Sequence, residues 1–241
     1  MLFILPIVVA FTGNLYADSN TKKISHVPIN IDDTAIQIYA ARTWGLKKFI
    51  AVHTWLALKH PGDNEFTRYE IFGWAKYHNK EVLMIHQGDH DVPWYGNEPT
   101  ILVDIRGQQA QELIGQVEQA ISDYPFRDDY TTWPGPNSNT FTAFIGRQVP
   151  ELKLDLPSTA IGKDYRELNE IVSRSASGGV QFSLWGLLSV STGIEEGLEL
   201  NLLGLNVELD FFDFAIELPG IGRIGAPQTK HNSSETSYDE A

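Results

Sequence analysis

Residues Phe49–Leu58 read FIAVHTWLAL, and this run decides how the chain around it is organised. Its β-branched and aromatic residues suit a pleated surface, and Pro61-Gly62-Asp63-Asn64 closes it with a turn, so it reads as a strand. Upstream, Ile36–Trp44 reads as a second strand, with Ile36, Ile38 and Ala40 alternating against Gln37 and Tyr39, and Gly45–Lys48 reads as the turn between the two. Downstream, Phe66–Trp74 (FTRYEIFGW), Glu81–His86 and Ile101–Ile105 read as further strands around a loop at 87–99 rich in Gly, Asp and Pro.

The period then changes. From 108 to 123, Ala110, Leu113, Ile114, Val117, Ala120 and Ile121 fall on one face at a period of 3.6, which predicts an amphipathic helix stopped by Pro125. A second helix is predicted over Ser138–Gln148, with Phe141, Phe144 and Ile145 inward and Pro150 at its end. Residues 151–176 read as mostly irregular, with a helical turn near Tyr165–Val172. In the last third, Val180–Val190, Leu198–Leu209 and Phe211–Leu218 alternate apolar and polar. This predicts two or three long antiparallel strands with one buried face, and a β-bulge where the alternation slips at Leu202-Leu203. Trp185, Phe211, Phe212 and Phe214 are read as core rather than as a lipid-facing surface.

The sum is an α+β fold: an antiparallel sheet packed with two helices, followed by a C-terminal antiparallel hairpin or meander. The organisation read from the chain is a signal peptide or N-terminal anchor at 1–17, a linker at 18–35, a single α+β domain at 36–225 whose long C-terminal strands occupy 180–218, and a disordered tail at 226–241. The first 17 residues, MLFILPIVVAFTGNLYA, carry no charge, and the apolar stretch Leu2–Phe11 has the length of a signal-peptide core. No Lys or Arg precedes that stretch. The expected location is therefore outside the cytoplasm, either periplasmic or anchored in the inner membrane, with membrane association through the N-terminus.

The chain has 18 basic and 31 acidic residues, a formal charge of −13, and no cysteine. An acidic surface repels phosphate backbones and argues against nucleic acid as a partner. The absence of cysteine removes disulfides, thiolate metal sites and a thiol nucleophile, so covalent catalysis would need a hydroxyl, amine or carboxylate.

Four groups of residues carry candidate chemistry. Trp133–Phe141 reads WPGPNSNTF, a rigid entrance to the second helix in which Asn137, Ser138, Asn139 and Thr140 are all competent caps. One cap suffices for a helix, so four polar residues in a row exceed the structural need. With Asn137 as cap, Ser138 occupies the first turn, near free N–H groups and the positive end of the helix dipole. His53 interrupts the apolar strand and is either a satisfied core histidine or a general base. Period 2 puts it on one face with Trp55. Glu70, in Arg68-Tyr69-Glu70 on the next strand, either orients that imidazole or pairs with Arg68. His86, Asp89, His90 and Asp91, with His78 upstream, lie in a loop without metal-motif spacing and read as solvated. Trp94-Tyr95-Gly96-Asn97 follows and either lines a cleft or covers the core. No cofactor motif is present: there is no phosphate-binding glycine loop, no GxSxG elbow and no metalloprotease helix.

The strings HTW at 53–55, RYE at 68–70, GW at 73–74, DIRG at 104–107, WPGPNSNTF at 133–141, RQVPEL at 147–152, IGK at 161–163 and GLELNLLGL at 197–205 together resemble an uncharacterised bacterial family, a domain of unknown function. The resemblance extends over roughly residues 36–226 and implies a bacterial, envelope-facing protein without bringing an activity. The order of a strand histidine, a polar residue on the next strand and an N-x-x-x-F string opening a helix is also similar to the circularly permuted papain-like hydrolases and acyltransferases. That similarity implies catalytic roles for His53, Ser138 and Glu70. Asn137, Asn139, Thr140, Trp133 and Trp55 would form the binding surface, and the substrate would be a peptidoglycan peptide or a lipid acyl group. Serine stands where that superfamily has cysteine, and a hydroxyl needs a well-placed base to act. The site is thus either a serine-dependent amidase, peptidase or esterase, or a non-catalytic envelope module with a degenerate site.

Overall fold

The computed structural model describes residues 33–226, apart from 168–169, 177–178, 194–196, 212–213 and 219–220. The N-terminal segment at 1–17, nearly all of the linker and all but the first residue of the tail lie outside the described residues.

Five strands form the first sheet: β1 (Ala35–Arg42), β2 (Val52–Lys59), β3 (Phe66–Ile71), β4 (Leu83–Gly88) and β5 (Thr100–Arg106). Their order is β4-β3-β2-β1-β5, with every pair antiparallel. The FIAVHTWLAL run thus supplies the central strand, which is buried on both faces and for that reason reads as continuously apolar. Its first residues depart from the sequence expectation: Gly45–Phe49 form a 3₁₀ turn, and pairing starts only at Val52. The strand expected to reach Trp74 ends at Ile71, and Gly73–Lys76 form the short helix α1.

Period 2 divides β2 between two layers. Leu56 and Leu58 join Ile36 and Ile38 beneath helices α2 (Gly107–Ser122) and α3 (Ser138–Gln148). The stripe predicted for α2, from Ala110 to Ile121, is the face it buries. The opposite face of the sheet carries Trp55, Ala57, Tyr39 and Phe66, with Trp94 packed over them.

The second sheet is a seven-stranded antiparallel meander: β6 (Val172–Arg174), β7 (Val180–Leu184), β8 (Leu188–Gly193), β9 (Gly197–Leu202), β10 (Leu205–Asp210), β11 (Ala215–Leu218) and β12 (Gly222–Ile224). The long strands expected from sequence are cut by turns. Val180–Val190 breaks at Trp185 and Gly186, which have φ of 53° and 67°. The slip at Leu202-Leu203 is a two-residue hairpin, not a bulge, because Leu202 pairs with Leu205 and the residues between them, Leu203 and Gly204, have φ of 56° and 83°. Positive φ at both central positions matches the twist of the flanking strands.

The polarity of this sheet is reversed. One cross-strand row runs Val172–Phe182–Val190–Leu200–Val207, a second runs Leu184–Leu188–Leu202–Leu205, and both point outward. The rows between them, Gln181–Ser191–Glu199–Glu208 and Ser183–Ser189–Asn201–Asn206, are buried. Trp185, Phe211 and Phe214 are exposed rather than core, and Phe212 lies outside the described residues. The reason is the strap at 152–166 that the buried face meets. Its apolar residues Leu152, Leu154, Leu156 and Ala160 pack toward α3. Its polar residues go to the sheet: Asp164 accepts from Gln181 and Asn201, Lys163 pairs with Glu199 at 2.7 Å, and Arg166 donates to Gln181 and Ser173. The strap partners Gln181, Glu199 and Asn201 of the polar face, while the buried Asn206 amide makes no side-chain hydrogen bond among the described residues, and the aliphatic face is left outside.

Candidate functional site

The first turn of α3 is built from the polar string. Asn137 is the cap: its side-chain oxygen accepts from the N–H groups of Asn139 at 2.9 Å and Thr140 at 3.2 Å, and the Thr140 hydroxyl accepts from the Asn137 N–H at 3.0 Å. This is a capping box with threonine at the third position. The excess polarity noted in the sequence is then used to tie in the strap. Asn137 and Asn139 both donate to the Ile161 carbonyl, at 3.0 and 2.8 Å, and the Thr140 hydroxyl donates to that of Gly162 at 2.8 Å. Asn139 also donates to the Val52 carbonyl at 3.1 Å, which clamps the helix to β2. Gly162 is required at this junction: its φ is +95°, and a Cβ there would lie 2.3 Å from the Asn137 amide.

Three of the four polar residues are therefore consumed by the fold. Ser138 is the exception. The residue is only 6 % exposed, yet among the described residues neither its hydroxyl nor its own N–H makes a hydrogen bond. Its carbonyl accepts from Thr54 at 3.2 Å.

His53 sits beside that clamp. Its Nε2 lies 2.7 Å from Glu70 Oε1, and the other carboxylate oxygen lies 2.8 Å from Arg68 Nε. Both partners expected for Glu70 are thus present at once. All three side chains are almost completely buried. The Arg68–Glu70 contact is a close ion pair, not an aligned hydrogen bond, since neither atom satisfies hydrogen-bond geometry. Burial lowers the Arg68 pKa, and the Glu70 charge opposes that shift. The guanidinium also lies over the Trp55 ring, 4.3 Å from its centroid. Trp94 stacks on the imidazole with ring centroids 3.9 Å apart. His53 Nδ1 has no hydrogen-bond partner among the described residues.

The structure brings His53, Glu70 and Trp55 together on one side of the sheet. Thr54, the next residue along β2, turns to the other side and meets α3, with its hydroxyl 3.0 Å from Asn139 Oδ1 and 2.8 Å from Thr142 Oγ1. Ser138 lies on that helix side, and no hydrogen bond joins it to His53. Trp133 is half-exposed and donates to the Leu203 carbonyl at 2.9 Å, which ties the WPGP segment to the hairpin of the second sheet.

The histidine-rich loop has its own role. His90 stacks on Phe66 at 3.8 Å, and its carbonyl accepts from Trp55 Nε1 at 2.7 Å. Burial lowers its pKa and that of His86. No group of three or more His, Cys, Asp or Glu side chains converges among the described residues. Sequence reasoning missed the position of Trp94 over His53. A tryptophan in a Pro- and Gly-rich loop was the available signal, but nothing local says which strand it covers.

These features define an α+β domain with a buried histidine–carboxylate–guanidinium chain beside a capped helix. Residues 33–165 match the family described as "Protein of unknown function (DUF3750)", more than half of the chain, and the protein belongs to that family. The match covers the first sheet, the helices and most of the strap. It stops short of the second sheet, so it is narrower than the span of the resemblance read from the sequence motifs. No curated protein and no solved structure matches the chain.

Proposed function

We propose that the protein is an exported cell-envelope hydrolase or acyltransferase in which His53 is the general base, Glu70 orients it and Ser138 is the nucleophile. The observation that carries this reading is the state of His53: Nε2 is fixed on a buried carboxylate, and Nδ1 is left without a partner. A base held by a second group and open at its other nitrogen is the arrangement acyl transfer needs. Ser138 adds an uncommitted hydroxyl and an uncommitted N–H at the start of α3. In the reaction, the Ser138 oxygen adds to a carbonyl carbon while its proton passes to His53 Nδ1, a transfer that requires the two side chains, which lie on opposite sides of the first sheet in this structure, to be brought within reach of one another. Glu70 stabilises the imidazolium, and the Ser138 N–H faces the developing oxyanion. The proton then goes to the leaving amine or alkoxide, and water or a second acceptor removes the acyl group from the serine. The substrate class is a peptidoglycan peptide or a lipid acyl group.

A second reading, a non-catalytic envelope module, is favoured by one observation: Thr54, not His53, is the β2 side chain that meets the first turn of α3. The absence of native cysteine separates the two readings, because Ser138→Cys places a single thiol in the chain. If His53 serves residue 138, the thiol titrates well below the ordinary value of about 8.5, and His53→Ala returns it there. The measurement is the rate of iodoacetamide labelling against pH. A thiol at or above the ordinary value, indifferent to His53→Ala, removes the catalytic reading.

A further inference from the structure

Over its central strands the outward face of the second sheet is aliphatic, whereas on β6 the same face carries Arg174, opposite Val180. From β7 to β11 the described residues on this face include no charged side chain, and Thr192 is its polar member. Large side chains at the hairpin turns carry the apolar surface past both ends: Trp185 and Leu203 at one, Phe211 and Phe214 at the other, with Phe214 89 % exposed. Contiguous apolar surface of this extent marks a contact site.

Two features select the occupant. A second copy laid face to face would cover the flat rows but leave the hairpin tips in water, and it would bring together two chains of charge −13. A lipid surface covers rows and tips together, and aromatic side chains at the rim of an aliphatic band suit a membrane interface. The chain outside the described residues points the same way. The uncharged segment 1–17 joins β1 through residues 18–34, which extended would reach roughly 55 Å, far enough for both apolar surfaces to meet one membrane. The strands are too short to cross it: β9 and β10 have 6 residues each, against the 9–11 or so a spanning strand needs.

We propose that the outward face of β7–β10, with Trp185 and Phe214 at its ends, seats in the interfacial layer of a lipid bilayer. The charge of −13 makes zwitterionic lipid the suitable surface, with apolar burial as the driving force. The proposal does not depend on the chemistry assigned to Ser138. It is tested on the full chain with one introduced cysteine carrying an environment-sensitive fluorophore, either Leu202→Cys on the face or Gln111→Cys on the exposed side of α2. Phosphatidylcholine vesicles should blue-shift the Leu202→Cys label, and spin-labelled acyl chains in the lipid should quench it. The Gln111→Cys label should show neither change. Because the N-terminal segment is present in both proteins, a difference between them reports the sheet face itself. The proposal is overturned if the two labels respond alike or if vesicles leave the Leu202→Cys label unchanged. It is also overturned if the shift appears without vesicles and grows with protein concentration, which would assign the face to a second copy.

Discussion

The two sheets are built from strands with the same period of 2 and bury opposite halves of it. In the first, Leu56 and Leu58 go inward beneath α2 and α3. In the second, Glu199, Asn201 and Glu208 go inward, and Leu200 and Leu202 face out. Alternation states only that a strand has two faces. What lies opposite decides which face is buried. The helices present an apolar stripe to the first sheet, whereas the strap presents Lys163, Asp164 and Arg166 to the second. A buried polar layer holds only if its members satisfy one another, so the second sheet depends on that strap in a way the first does not.

The sharpest test of this contrast lies in the first sheet, where charge is the exception. Arg68 neutralises Glu70 at a site with almost no solvent access. Arg68→Met leaves that carboxylate with His53 alone, and breaking one side of a buried pair typically costs about 3–5 kcal/mol. Urea denaturation of Arg68→Met should show a loss of that size, and the double variant with Glu70→Gln should recover much of it. A loss below about 1 kcal/mol would mean that the pair is not a structural requirement of the apolar sheet.

The next test concerns pH and the polar interior of the second sheet. Burial pushes the Glu208 pKa up to about 9, with Asp155 and Glu217 adding to the rise and Lys163 opposing it. The native chain therefore keeps a proton that the unfolded chain releases near its ordinary pKa of about 4.3. Between those values the native state binds the extra proton, so the stability it contributes is complete at low pH and is lost as pH rises toward 9. Thermal melts at pH 6 to 9 should show the wild type losing stability with rising pH. Glu208→Gln should flatten that decline and melt higher than the wild type at pH 9. Parallel curves for the two proteins would show that the buried acidic row is solvated or otherwise neutralised.

The same contrast explains which parts of the molecule were legible in the sequence. The limits of α3 were, because proline and asparagine punctuate it before Ser138 and Pro150 follows it. The buried stripe of α2 and the central strand were legible for the same kind of local reason. The His53–Glu70 pair was partly legible, since His53 and Glu70 needed only adjacent strands and a shared face. The inverted sheet was not, because its polarity is set by a strap that read as irregular chain. Of the candidate site, the excess polarity of WPGPNSNTF was visible. That all of it except Ser138 serves the strap required the carbonyls of Ile161 and Gly162 to be placed.

The smallest expected effect is the most discriminating one for the sheets. Leu56→Ala on the apolar sheet removes a fully buried side chain and should cost about 3 kcal/mol through lost transfer energy and the cavity left behind. Leu200 is chemically the same residue in the middle of a strand, but it points out of the protein. Its truncation creates no cavity and exposes no new core, so Leu200→Ala should change the unfolding free energy in buffer by less than about 0.5 kcal/mol. The two variants, measured by the same urea titration in the absence of lipid, therefore compare one substitution on two faces. A cost at Leu200 approaching that at Leu56 would show that the outward face is already covered in the free protein, by another part of the chain or by a second copy. The inversion would then be a local feature of one layer and no longer a surface offered to a membrane.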